Sequence, residues 1–347
     1  MLALVCMLST SRARADDCEP PAGFSPCIDS NALRLPPGRA HFFSIASPEL
    51  TQPHSFEFGL GVSYFNRPVV LVVASPDPDG REVPVVKDVL DASFLWSYGA
   101  LERLELTVAM PLTFYQRGSG IQALTSQSGD ALSHATVRDP RVGVGVDFLP
   151  KPNPIYRAKA RIELSLPTGD DQELAGERSF GLSPSIALEA RAGRFYAGSE
   201  VGVRLRKQSV IAGARIGNQV LAAVGFGWIF VEPELLSVGA EAFILPTLAS
   251  QDHVEPDGTR VEGGLLAPGE ALLSLRSAPT PALSLELGGG IGLPLSSEER
   301  IEPDGSSDTE HFAGLTTPRF RLLLVARYTL DTLSSRKPIR RSQEAGR

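Results

Sequence analysis

Residues 156–164 read Tyr-Arg-Ala-Lys-Ala-Arg-Ile-Glu-Leu. A strand built from them carries Arg157, Lys159, Arg161 and Glu163 on one face and only apolar side chains on the other, because successive strand side chains point in opposite directions. A two-faced strand of this kind needs an apolar medium on one side and a polar one on the other. The same alternation recurs along the chain, and it limits the fold to two possibilities. Either two sheets pack their apolar faces together in water, or one sheet closes with its apolar face in lipid.

Twelve segments show this period: 54–64, 90–98, 103–110, 141–148, 156–164, 182–191, 195–204, 220–230, 236–244, 270–276, 283–291 and 319–328. The connections between them alternate in length. Short ones fall near 99–102, 150–154, 192–194, 231–233 and 277–280. Longer ones fall near 66–85, 115–136, 167–180, 206–218, 247–268 and 295–316. A soluble β-sandwich pair reproduces the strand alternation but does not require this alternation of loops. An all-β, transmembrane, antiparallel up-and-down barrel of about twelve strands accounts for both, with tight turns on the periplasmic side and long loops outside. Both termini are then expected in the periplasm.

The polar parity assigns a charged stripe to the enclosed side. The lumen-facing candidates are Arg103, Glu105, Arg141, Asp147, Arg157, Lys159, Arg161, Glu163, Glu189, Glu200, Arg204, Glu241, Arg319 and Arg321. Both signs are present in near balance, so ladders of paired charge across neighbouring strands are expected. Aromatic residues, among them Trp96, Tyr98, Phe148, Tyr156, Phe195, Trp228, Phe230 and Tyr328, cluster toward strand ends, where interfacial girdles form.

Composition agrees. Hydrophobic residues make up 42% and the mean hydropathy is +0.00. Beyond residue 15 no apolar stretch reaches the roughly 18 residues that a spanning helix needs. With 33 glycines and 28 prolines the chain is rich in turns. A formal net charge of -7, without a basic stripe, excludes nucleic acid as an expected partner. The apolar run from Met1, followed by Ala13-Arg14-Ala15 before Asp16, reads as a signal peptide over 1–15. It removes Cys6 and leaves Cys18 and Cys27, an even pair that reads as one disulfide in an oxidising compartment. Residues 16–50 are expected as a periplasmic lead-in, 51–331 as the barrel, and 332–347 as a basic periplasmic tail.

Three long loops carry acidic turn motifs: Asp77-Pro78-Asp79-Gly80, Glu255-Pro256-Asp257-Gly258 and Glu302-Pro303-Asp304-Gly305. Pro followed by Asp-Gly is a β-turn signal, and the oxygen-rich spacing of a calcium loop is missing. No cofactor or metal is expected.

Arg67-Pro68-Val69-Val70, Leu104–Gln116, Arg138-Asp139-Pro140-Arg141-Val142-Gly143, Leu166-Pro167-Thr168-Gly169-Asp170 and Pro318-Arg319-Phe320-Arg321 resemble the barrel region of myxobacterial OmpA-family and related transporter-like outer-membrane proteins, over about residues 31–330. The resemblance implies a barrel in the cell outer membrane and no particular substrate. Many such relatives carry calcium-binding repeats and a peptidoglycan-binding domain, whereas here only a short basic tail follows Leu330. Tyr328, the last strand aromatic, stands well before the chain end, where the signal for the barrel-assembly machinery usually lies.

The function expected first is a pore or small-solute transporter with a charged lumen, in contact with outer-membrane lipid. The alternative is a closed structural or adhesive barrel displaying its loops. A twelve-stranded phospholipase needs a histidine in reach of a serine on an outward face, and His41, His54, His134, His253 and His311 all fall in loops or at strand edges. The expectation is therefore a protein that is not an enzyme.

Overall fold

The computed structural model describes residues 27–73, 81–120, 132–149, 155–211, 214–231, 235–251, 253–254, 260–261, 264–301, 307–312 and 314–331. The signal segment, Cys18, the C-terminal tail and all three acidic turn motifs lie outside them.

Twelve strands form the wall: β1 (Ser55–Val73), β2 (Arg81–Leu101), β3 (Leu104–Arg117), β4 (Arg141–Asp147), β5 (Tyr156–Ser165), β6 (Gly181–Ala192), β7 (Phe195–Arg204), β8 (Gln219–Val231), β9 (Leu236–Ile244), β10 (Gly269–Thr280), β11 (Leu283–Gly292) and β12 (Phe320–Asp331). Each pairs antiparallel with its neighbours in the chain. β1 also pairs with β12, from Ser55↔Asp331 to Asn66↔Phe320, so the sheet has no free edge. Closure lets every strand satisfy its backbone within the sheet, which a membrane interior demands.

The outward parity is apolar and exposed. Phe58 and Leu60 on β1, Leu106 and Met110 on β3, Val142 and Val144 on β4, Ile186 and Leu188 on β6, and Leu322 and Leu324 on β12 all face out. Aromatic pairs mark the two rims. Phe56 stacks on Tyr98 at 4.6 Å at the short-turn rim, and Tyr64 meets Phe320 at 5.8 Å at the other. Leucine and phenylalanine in this number have no place on a water-facing wall.

The connections alternate as the sequence predicts, with one correction. β1 and β2 run much further than expected, and their ladder continues past a bulge near Asn66–Val70 to Val73↔Arg81. Residues 66–73 and 81–85, expected in a loop, therefore form a tall hairpin. Apolar Phe65, Val69, Val85, Val86 and Val89 line its inner side. They pack with Ile28, Leu174, Ile211, Ile216 and Leu266 into a cluster over the long-loop end of the barrel.

A second correction concerns the N-terminal lead-in. Residues 27–54 do not hang below the barrel but run through its interior. Cys27 lies at the long-loop end, where its carbonyl accepts from Ser209 Oγ at 2.7 Å. Asp29 bridges Ala175 in the connection between β5 and β6. At the far end, Pro53 bridges Gly99, and His54 N donates to Gly99 O at 2.7 Å in the short turn after β2. From Cys27 to His54 the segment thus runs from the long-loop mouth to the short-turn mouth. The lead-in reading rested on Pro and Gly content, which fits a plug without secondary structure equally well.

Candidate functional site: a charged lumen filled by the N-terminal segment

An irregular segment inside a barrel must find partners for backbone groups that no ladder satisfies. Here the inward strand charges supply them. Glu241 on β9 accepts from Phe43 N at 2.6 Å, Ser44 N at 2.8 Å and Ser44 Oγ at 2.5 Å. Glu200 on β7 accepts from Ala46 N at 2.7 Å. Glu105 on β3 accepts from Thr51 N at 3.1 Å and Thr51 Oγ1 at 2.7 Å. In the opposite sense, Arg141 donates to Leu35 O at 3.3 Å and Arg204 to Ala32 O at 3.0 Å.

Further polar contacts join strands to one another and, in several cases, to the segment. Lys159 Nζ lies 3.1 Å from Glu105 and Arg141 3.0 Å from Glu163. Arg161 lies 3.4 Å from Glu200. Arg321 makes a two-pronged contact with Glu270 at 2.7 and 2.9 Å. It also reaches Ser63 Oγ and Asn31 Oδ1, and its guanidinium sits 4.5 Å from the Phe65 ring. Arg138 is held between Asp29 and Asp91.

Apolar groups complete the filling. Leu33, Leu35, Phe42, Phe43 and Ile45 of the segment pack with Leu95, Phe243, Leu272, Leu323 and Val325 of the wall. Glycines make the room. A Cβ on Gly225 would stand 2.6 Å from the Phe42 ring, and one on Gly288 would stand 2.4 Å from Phe43.

Glu105, Arg141, Lys159, Glu163, Glu189, Glu200, Arg204, Glu241 and Arg321 are buried, and Arg161 is nearly so. Glu189 lies 2.9 Å from His41 of the segment. Asp147 and Arg157 sit at the short-turn mouth. Asp147 accepts from Leu149 N, and Arg157, 46% exposed, contacts Glu49 at 2.6 Å. Arg103 and Arg319 are exposed and lie just before β3 and β12, where strand parity no longer fixes direction. Cys27 is disulfide-bonded and fully buried.

The connection 166–180 seals one side of the long-loop mouth. Asp139 accepts from Gly169 N at 2.7 Å and Glu177 N at 2.8 Å, and burial nevertheless raises its carboxyl to about 6. Among the described residues no cluster of metal-ligating side chains occurs.

A closed wall, an apolar exterior, aromatic rims and a charged interior define a membrane-spanning β-barrel of the outer-membrane type. The solved structures agree. An outer membrane channel from Pseudomonas putida F1 matches with a TM-score of 0.53 and 14% identity, over 82% of this chain and 98% of that one. At this identity the likeness is one of fold. The KdgM porin (TM-score 0.41, 7% identity, 80% of this chain and 99% of that one) and the NanC porin (0.44, 7%, 79% and 100%) are more distant. No family model and no curated protein matches the chain.

Proposed function

We propose that this protein is an outer-membrane channel for small solutes whose lumen is closed by its own N-terminal segment. One observation carries the proposal. The segment is a separate length of chain, attached to the wall by carboxylates and guanidiniums that bind its backbone. Withdrawing it would leave a lumen lined by hydratable charges, the lining of an aqueous conduit. A barrel selected only for rigidity would be better served by wall side chains that meet across the axis.

In this reading the short turns lie in the periplasm and the outer wall meets outer-membrane lipid. The barrel-assembly machinery inserts the chain, and no nucleic acid is bound. The protein carries out no catalysis. The short motifs around Arg138–Gly143 and Leu166–Asp170 support kinship with myxobacterial OmpA-family barrels.

The filled lumen favours a second reading, a closed structural or adhesive barrel that displays its loops. Planar-bilayer recording separates the two. The full chain should conduct in brief, infrequent openings, and a variant lacking residues 28–50 should conduct steadily. A folded barrel that is silent in both forms leaves the structural reading.

A further inference from the structure

Beside the segment, near the long-loop end, buried charge does not balance locally. Arg34, Arg141, Arg161, Arg204 and Arg206 gather around Glu163, Glu177 and Glu200, and all eight side chains are at most 16% exposed. Glu163 serves Arg141 at 3.0 Å and Arg34 at 3.9 Å. Glu177 serves Arg206 at 2.9 Å and Arg34 at 3.5 Å. Glu200 is taken up by Arg161, Ser185 and the Ala46 amide. Arg204 is left with a backbone carbonyl, Ala32 O, and no carboxylate within ion-pair distance among the described residues. Arg206, with a side chain 8% exposed, has Nε and Nη2 buried without an acceptor.

The other acids nearby are engaged elsewhere: Asp29 and Asp91 on Arg138, Glu270 on Arg321, and Asp139 on two backbone amides. Two adjoining voids share Ala32, Arg34 and Arg204 as lining. One adds Arg161, Glu163, Ser183 and Ser185, and the other adds Arg206, Asp29 and Glu177, so guanidiniums and carboxylates both face the space and the carboxylates are those already engaged by arginines. Each has room for roughly one water-sized body. An unpaired buried guanidinium is strongly unfavourable, and a bound anion removes that penalty.

We propose that these voids form a binding site for a single halide ion. The site does not depend on conduction. If the barrel does conduct, it is the point at which a halide is held beside the segment.

The test is thermal unfolding of the purified full chain in detergent at fixed ionic strength. Sodium gluconate, an anion too large for the voids, is exchanged in one arm for sodium chloride and in the other for sodium formate, whose three heavy atoms also exceed the space. A saturable rise of the midpoint in the chloride arm, absent with formate and absent in R204Q, is expected, and a rise with formate alone overturns a halide site. An identical midpoint in all three salts overturns the site, as does a rise that R204Q retains. If R204Q does not fold, bromide-soaked crystals of the unaltered chain decide. An anomalous peak between Arg34, Arg204 and Arg161 or Arg206 is expected, and its absence refutes the proposal. Neither measurement requires current, so a silent barrel with a bound anion and a conducting barrel without one remain separate outcomes.

Discussion

Glu241 offers the sharpest test of the seated segment. Its carboxylate takes three hydrogen bonds from two consecutive residues, Phe43 and Ser44. No Arg or Lys lies within ion-pair distance of it among the described residues, so its structural role is to hold the segment. Hydrogen bonds to a charged acceptor contribute about 1.5 kcal/mol each at the lower end, or about 4.5 kcal/mol for the three. Removing the carboxylate also removes the cost of burying it, which returns about 1–2 kcal/mol. E241A should therefore shift the balance between seated and withdrawn segment by about 2.5–3.5 kcal/mol, a factor of roughly 60–350. In planar bilayers the open fraction should rise by that factor, and the segment should become more sensitive to protease at the same enzyme concentration. The wall contacts of β9 run through backbone pairing with β8 and β10, so the barrel itself should still form and keep its heat-modifiable gel mobility. A folded E241A barrel with unchanged open fraction and unchanged proteolysis refutes the reasoning.

The stripe on β5 separates two kinds of charge. Lys159 and Glu105 are 2% and 1% exposed, and K159M strands a buried carboxylate, so a loss of about 3–5 kcal/mol is expected. Arg157 and Glu49 are 46% and 34% exposed, so R157Q should cost under about 1 kcal/mol. Comparison of the temperatures at which each variant loses its folded gel mobility checks the contrast, and equal losses would contradict it. Asp139 predicts a pH dependence. Burial raises its folded pKa to about 6 from an ordinary 3.8, so the folded state binds the extra proton between those values. Stability from this group is greatest below about pH 4 and falls by up to about 3 kcal/mol as pH rises through 6. The stability of D139N relative to the unaltered chain should accordingly increase from pH 4.5 to 7.5, and a flat or opposite trend would show that burial does not govern this carboxyl.

The wall was legible in the sequence because strand alternation is a local property. Val142, Val144 and Val146 face out while Arg141, Gly143 and Gly145 face in, whatever the rest of the chain does. Alternation loses its meaning one residue past a strand end, which is why Arg103 and Arg319 belong to the rims. It also cannot say how far a hairpin rises, since Val69, Val85 and Val86 read as loop until the cluster around Ile28 is in place. The filled lumen was not legible, because residues 27–54 have no period. Its trace was nonetheless present. Gly225 and Gly288 interrupt the inward parity of β8 and β11 with missing side chains, and the adjacent Phe42-Phe43 pair supplies the volume. A glycine gap on one segment and bulky rings on another are related only by three-dimensional proximity, which no single window of sequence displays.

The route of residues 27–54 also bears on how the molecule is assembled. The thread precedes the first strand, and the seam between β1 and β12 is the last pairing that chain order permits. A finished cylinder would have to be needled end to end by Phe42, Phe43 and a disulfide-bonded Cys27. Strands that wrap progressively around the irregular segment, and zip shut over it, avoid that passage. Residues 27–54 are then enclosed as the wall closes rather than threaded through it afterwards.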